Sequence, residues 1–121
     1  MQFKTNNDMG EVKIFKVYIS APIGSGVKTN PEKYKERFDF FESKERFYRE
    51  RGFEVLNPMK NGIEPMAEDV VHMDADYQLI RKCDIIVMLE GWNRSAGCWA
   101  ELHYALSIGK EVYLENNYPL I

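Results

Sequence analysis

The chain has 121 residues, 45% of them apolar and 13% aromatic, with a formal charge of −3. That length suits one domain with a real core and is too short for two, and the mildly acidic balance offers no positive field to a nucleic acid duplex. Apolar runs stop at about five residues, far short of a membrane span, and the start, Met1-Gln2-Phe3-Lys4-Thr5-Asn6-Asn7-Asp8, lacks the apolar stretch of a signal peptide.

A single domain over 1–121 in the cytoplasm is therefore expected, with 1–12 as a flexible lead-in. Lys13 to Ser20 is β-branched and aromatic and is broken by Ala21-Pro22-Ile23-Gly24-Ser25-Gly26, which predicts a strand and a loop. Pro31 after Asn30 opens a helix in which Tyr34, Phe38, Phe41 and Tyr48 recur at helical spacing until Gly52. Phe53 to Leu56 is a short strand stopped by Asn57-Pro58, and a polar loop follows to about Pro65. A helix from about Met66 to Lys82 leads into the unbroken apolar run from Ile85 to Leu89, the pattern of a parallel strand covered on both faces. Ser95 is a good N-cap for a helix that ends at Gly109, before a last strand from Glu111 to Leu114. This βαβαβαβ order predicts an α/β fold: three layers, doubly wound and flavodoxin- or Rossmann-like, on a four-stranded, mostly parallel sheet.

Ligands of such sheets sit at the carboxyl ends of the strands, where the strand order reverses. Three loops reach that edge: Ser20 to Asn30, Asn57 to Pro65 and Glu90 to Gly97. The first is rich in Pro22, Gly24, Ser25 and Gly26, which let backbone amides approach an anion, although the same composition serves a plain turn. Lys28-Thr29 follows Val27 rather than glycine, which rules out a triphosphate-binding P-loop. With Ser95 as cap, the amides of Ala96, Gly97 and Cys98 are left unpaired as an anion site. Glu101 lies six residues on, roughly 8 Å along the axis by backbone rise. That is about the span of a nucleoside 5′-monophosphate from its phosphate to its anomeric carbon. Glu101 lies within modest rotations of Ser95, Cys98, Leu102, Ala105 and Ile108, which turns it toward the edge of the sheet. Asp76, on the preceding helix, is the second carboxylate, and two carboxylates above a sheet are the minimal equipment for cleaving a glycosidic bond.

Other residues carry plainer readings. His72, one turn before Asp76, is a surface or capping histidine within reach of a base, and His103 is structural. Cys83 and Cys98 lack metal-type spacing and read as free thiols. Trp92 and Trp99 suit either base stacking or a subunit contact. Phe38, Phe40, Phe41, Phe47 and Tyr48 exceed what one helix face buries, which points to self-association as a homodimer or larger homo-oligomer.

Taken together, Tyr18-Ile19-Ser20-Ala21-Pro22-Ile23, Asn57-Pro58, Asp76 with Asp84 eight residues on, and Ser95-Ala96-Gly97-Cys98-Trp99-Ala100-Glu101 resemble the nucleoside 2-deoxyribosyltransferase superfamily over about residues 13 to 114. The resemblance implies that Glu101 is the nucleophile, that Asp76 assists the base or the sugar, and that Tyr18 orients the nucleophile. It further implies that Ser95 binds a 5′-phosphate, as in the 2′-deoxynucleoside 5′-monophosphate N-hydrolase branch, where transferases carry an aspartate. That branch has an arginine in the first loop, which is missing here; Arg94 stands beside the cap instead. Ala21, Pro22, Ile23, Gly24, Asn57, Gly97 and Trp92 complete the expected substrate site. A small-molecule nucleotide or nucleoside is the expected partner, and neither a metal nor an organic cofactor is required. A deoxyribosyltransferase and a non-catalytic nucleotide-binding module are the alternatives to a nucleotide hydrolase.

Overall fold

The computed structural model describes residues 5–6, 12–24 and 26–115. Ile85–Leu89 is buried from end to end, as a strand with helices on both faces requires. The sheet consists of β1 (Lys16–Ser20), β2 (Glu54–Leu56), β3 (Ile85–Met88) and β4 (Glu111–Leu114), all parallel, in the order β2-β1-β3-β4. Three helices connect them: α1 (Pro31–Glu50), α2 (Asp69–Lys82) and α3 (Ala96–Ser107). The strand order reverses between β1 and β3, which places the switch point beside the loops that leave those two strands.

Side chains alternate across a strand, and this divides the core in two. Val17, Ile19, Val55, Ile85 and Val87 pack with Phe41 and Tyr48 of α1. Tyr18, Ile86, Met88 and Val112 pack with Ile80 of α2 and with Cys98, Leu102 and Ala105 of α3. Ile19 and Ile86 are fully buried, worth roughly 1.5–3 kcal/mol each.

Two boundaries differ from the sequence reading. The first strand starts at Lys16 rather than Lys13, because Val12–Lys13 pairs antiparallel with Thr5–Asn6 and Ile14 is exposed. Asp84 fixes the new start: its carboxylate accepts from the Lys16 N–H at 2.8 Å, and its own N–H donates to the Lys16 carbonyl. The second helix begins at Asp69 rather than Met66. A turn closed by the Ala67 N–H on the Glu64 carbonyl comes first, and Glu68 supplies the cap position. Apart from Thr5–Asn6 and Val12, the lead-in over 1–12 lies outside the described residues.

Cations lie over the surplus rings of α1, although Phe47 stays 43% exposed. Arg37 and Lys44 lie over Phe40, Lys60 over Phe38 and Arg51 over Phe47, the last at 3.4 Å from the ring centre. Among the described residues no helix is long and apolar enough to cross a membrane.

Candidate active site

A cavity of about 600 Å³ opens at the carboxyl edge of the sheet, above the switch point. Its floor follows from two periodicities. Tyr18 and Ser20, two apart on β1, share the face covered by α2 and α3. Cys98, Glu101, Leu102 and Ala105 form one stripe of α3 at spacings of three and four. Glu101 therefore occupies an inward-facing position on a helix packed over β3 and β4, and its side chain reaches β1, which supplies its partners. The Tyr18 hydroxyl donates to Oε2 at 3.0 Å and the Ser20 hydroxyl to Oε1 at 2.8 Å.

Burial governs the titration of this group. Desolvation, and after it the charge of Asp76, pushes the Glu101 carboxyl up to about 7, against the opposing pull of the two hydroxyl bonds. Burial pushes Asp76 up to about 6, offset by its hydrogen bond from Asn61 and by His72. Burial, and then the neighbouring Glu101, raises the Tyr18 phenol well above its ordinary value, so it remains a proton-bearing donor.

Ser95 caps α3 as expected. Its Oγ accepts from the Cys98 N–H at 3.2 Å, which removes Cys98 from the set of free amides. The Ala96 and Gly97 N–H groups keep no protein partner among the described residues. Opposite them, Gly24 and Gly26 turn the first loop at φ values of 94° and 73°, a region costly for residues with a Cβ.

Of the residues singled out in the sequence, Ala21, Ile23, Gly24, Asp76, Ser95, Gly97 and Glu101 line the cavity, and Tyr18 reaches it through Glu101. Pro22, Asn57 and Trp92 do not line it. Asn57 is buried, caps the turn Pro58–Lys60 through the Met59 N–H and donates to Glu45 at 3.1 Å. Trp92 packs on Trp99, with ring centres 4.7 Å apart. Arg94 is exposed on the turn Trp92–Arg94. The arginine that meets the first loop is Arg37 of α1, which donates to the Pro22 carbonyl.

Several lining residues were not marked by the sequence. Lys28 bridges the Asp69 carboxylate at 3.2 Å and the Ala67 carbonyl at 3.3 Å across the mouth. Tyr34, Met59, Ile63 and Met73 supply an apolar wall, and Asn61 and His72 a polar one. His72, read as a surface or capping residue, faces the cavity within one helical turn of Asp76.

A family model described as a domain of unknown function, DUF4406, matches residues 15–114. The chain belongs to the DUF4406 family. This DUF4406 chain is similar in structure to Clostridium botulinum CMP N-glycosidase, BcmB, at 25% identity and a TM-score of 0.54, over 85% of this chain and 73% of that one. It also shares its fold with 2-desoxiribosyltransferase from Leishmania mexicana, at 19% identity and a TM-score of 0.58, over 83% of this chain and 63% of that one. The DUF4406 chain thus spans less than two thirds of the Leishmania protein. Nothing among the curated proteins matches it. The resemblance seen in the sequence therefore holds as a shared α/β architecture with nucleoside glycosidase and transferase enzymes.

Proposed function

We propose that this DUF4406 chain cleaves the N-glycosidic bond of a nucleoside 5′-monophosphate. The observation that carries this reading is Glu101, a carboxylate in a core stripe, held by two hydroxyls from the central strand inside a cavity that Asp76 also lines. An acid is costly to bury, and a perturbed acid in a cleft is a candidate functional group.

The phosphate rests on the Ala96 and Gly97 amides and the Ser95 hydroxyl, at the positive end of α3. Glu101 then presents an oxygen to C1′. The C1′–N bond breaks with its electron pair going to the base, Asp76 delivers a proton to that base, and a C1′–O bond forms to Glu101. Water then bonds to C1′ as the C1′–O bond to Glu101 breaks, its proton passing to the Asp76 carboxylate, which gives sugar phosphate with net retention and restores both acids. Tyr18 and Ser20 keep the nucleophile oriented and favour its ionised form. The similarity to a CMP N-glycosidase supports trying CMP first.

Incubating the chain with a panel of ribo- and deoxyribonucleoside monophosphates, and separating free bases by chromatography, tests this. Base release that disappears in Glu101→Ala is expected. Release that persists in that variant, or none from any monophosphate, refutes the proposal.

A further inference from the structure

Asn61, in the loop after β2, is held from three sides. Its Oδ1 accepts from the Ile63 N–H at 2.9 Å, while its Nδ2 lies 3.0 Å from Asp76 Oδ1 and 3.2 Å from His72 Nδ1. The contact with Ile63 fixes which end of the amide is which, because only the oxygen can accept from a backbone N–H. The NH2 group therefore faces Asp76 and His72, with one hydrogen for each. A ring nitrogen that meets an N–H donor must offer its lone pair, so the neutral His72 ring carries its proton on Nε2. His72 and Asp76 both line the cavity, and Nε2–H is the polar group the ring has left for a ligand.

We propose that Asn61 is a positioning residue that locks His72 as an Nε2–H donor beside Asp76, and that this donor takes an acceptor on the ligand, a carbonyl oxygen or bare ring nitrogen of a nucleobase. The first half stands on the three Asn61 contacts. The second half rests on the nucleotide reading above. Two alternatives fail on the same geometry. A flipped amide would set the Asn61 oxygen against the Asp76 carboxylate and lose the Ile63 contact. A ring protonated on Nδ1 would face a second donor.

With only two histidines in the chain, the His72 ring nitrogens are readily assigned in 15N-edited spectra of the full chain in alkaline buffer. The expected pattern is a protonated Nε2 and a bare Nδ1. Asn61→Asp keeps the shape and the acceptor for Ile63 but presents an acceptor to the ring, so the proton should move to Nδ1. Asn61→Ala should give a mixture of both forms. A wild-type ring protonated on Nδ1, or an Asn61→Asp ring unchanged from wild type, overturns the positioning role. The ligand half is read in a Glu101→Gln background, where CMP persists. CMP should shift the Nε2–H resonance, and adding His72→Phe should weaken CMP binding about tenfold, the scale of one hydrogen bond. An unmoved resonance with CMP bound, or unchanged affinity, overturns that half alone. Failure of the wild type to bind or cleave any monophosphate instead removes the nucleotide reading and leaves the tautomer result standing.

Discussion

Replacing Glu101 by glutamine should make the protein more stable while ending base release. The side chain keeps its shape and its acceptor oxygen but loses the charge that burial and Asp76 disfavour. In the unfolded chain this carboxyl ionises near 4.5, and in the fold near 7. Between those values the unfolded state gives up a proton that the folded state retains, so wild-type stability falls as pH rises through the window. At about 1.4 kcal/mol for each pH unit, the cost above pH 7 is about 3 kcal/mol. The glutamine variant escapes it. For a chain of this size, its thermal midpoint should exceed that of the wild type by roughly 10 °C at about pH 8.5, with the gap closing near pH 4. Thermal unfolding of both proteins across that range is the assay. A variant no more stable than wild type under alkaline conditions, or equally favoured at both ends, refutes the argument that Glu101 is held at an energetic cost.

Three further outcomes follow from the same geometry. Ser20→Ala removes a donor that favours the ionised Glu101, so the acidic limb of the kcat/KM profile should move up by about one pH unit or more; an unmoved limb would detach Ser20 from the nucleophile. Ser95→Ala should cost about 1 kcal/mol of stability as a lost helix cap and weaken monophosphates more than free nucleosides, and equal loss for both would exclude the phosphate role. Lys28→Ala should change stability by less than about 0.5 kcal/mol, because the Lys28–Asp69 pair is exposed and screened; a larger drop in denaturant unfolding would show the mouth bridge to be structural.

The sequence exposes most of the architecture because each element carries its own local signal. Ser95 caps α3 through its side chain, Asn30 caps α1 through two amides, and the apolar run of β3 needs cover on both faces. The boundaries that moved are those where signals compete. Pro65 and Met66 look like a helix start, yet the chain makes a turn there before the cap position at Glu68. Glu101 was legible from helical spacing on α3; Tyr18 was singled out only through the family resemblance, although strand alternation puts it on an inner face. Ser20 obeys the same rule as Tyr18 and could have been found by it. Asn61 and Arg37 could not, since their roles arise from loops and a helix that meet only after the sheet assembles. Asn57 shows the opposite hazard: a cap before proline mimics a site residue, and here it serves the buried Glu45 instead.

Both hydroxyls that grip Glu101 belong to β1, which has a hydrogen-bonded neighbour on either side. The acid is thereby anchored to the part of the molecule that should exchange its amide hydrogens last. Fraying at the ends of α3 or rearrangement of the three surrounding loops can change what enters the cavity without releasing this carboxyl. The shape of the cavity mouth and the placement of the acid are thus separable in this architecture: loop sequences can drift while the central strand keeps the carboxyl where it is.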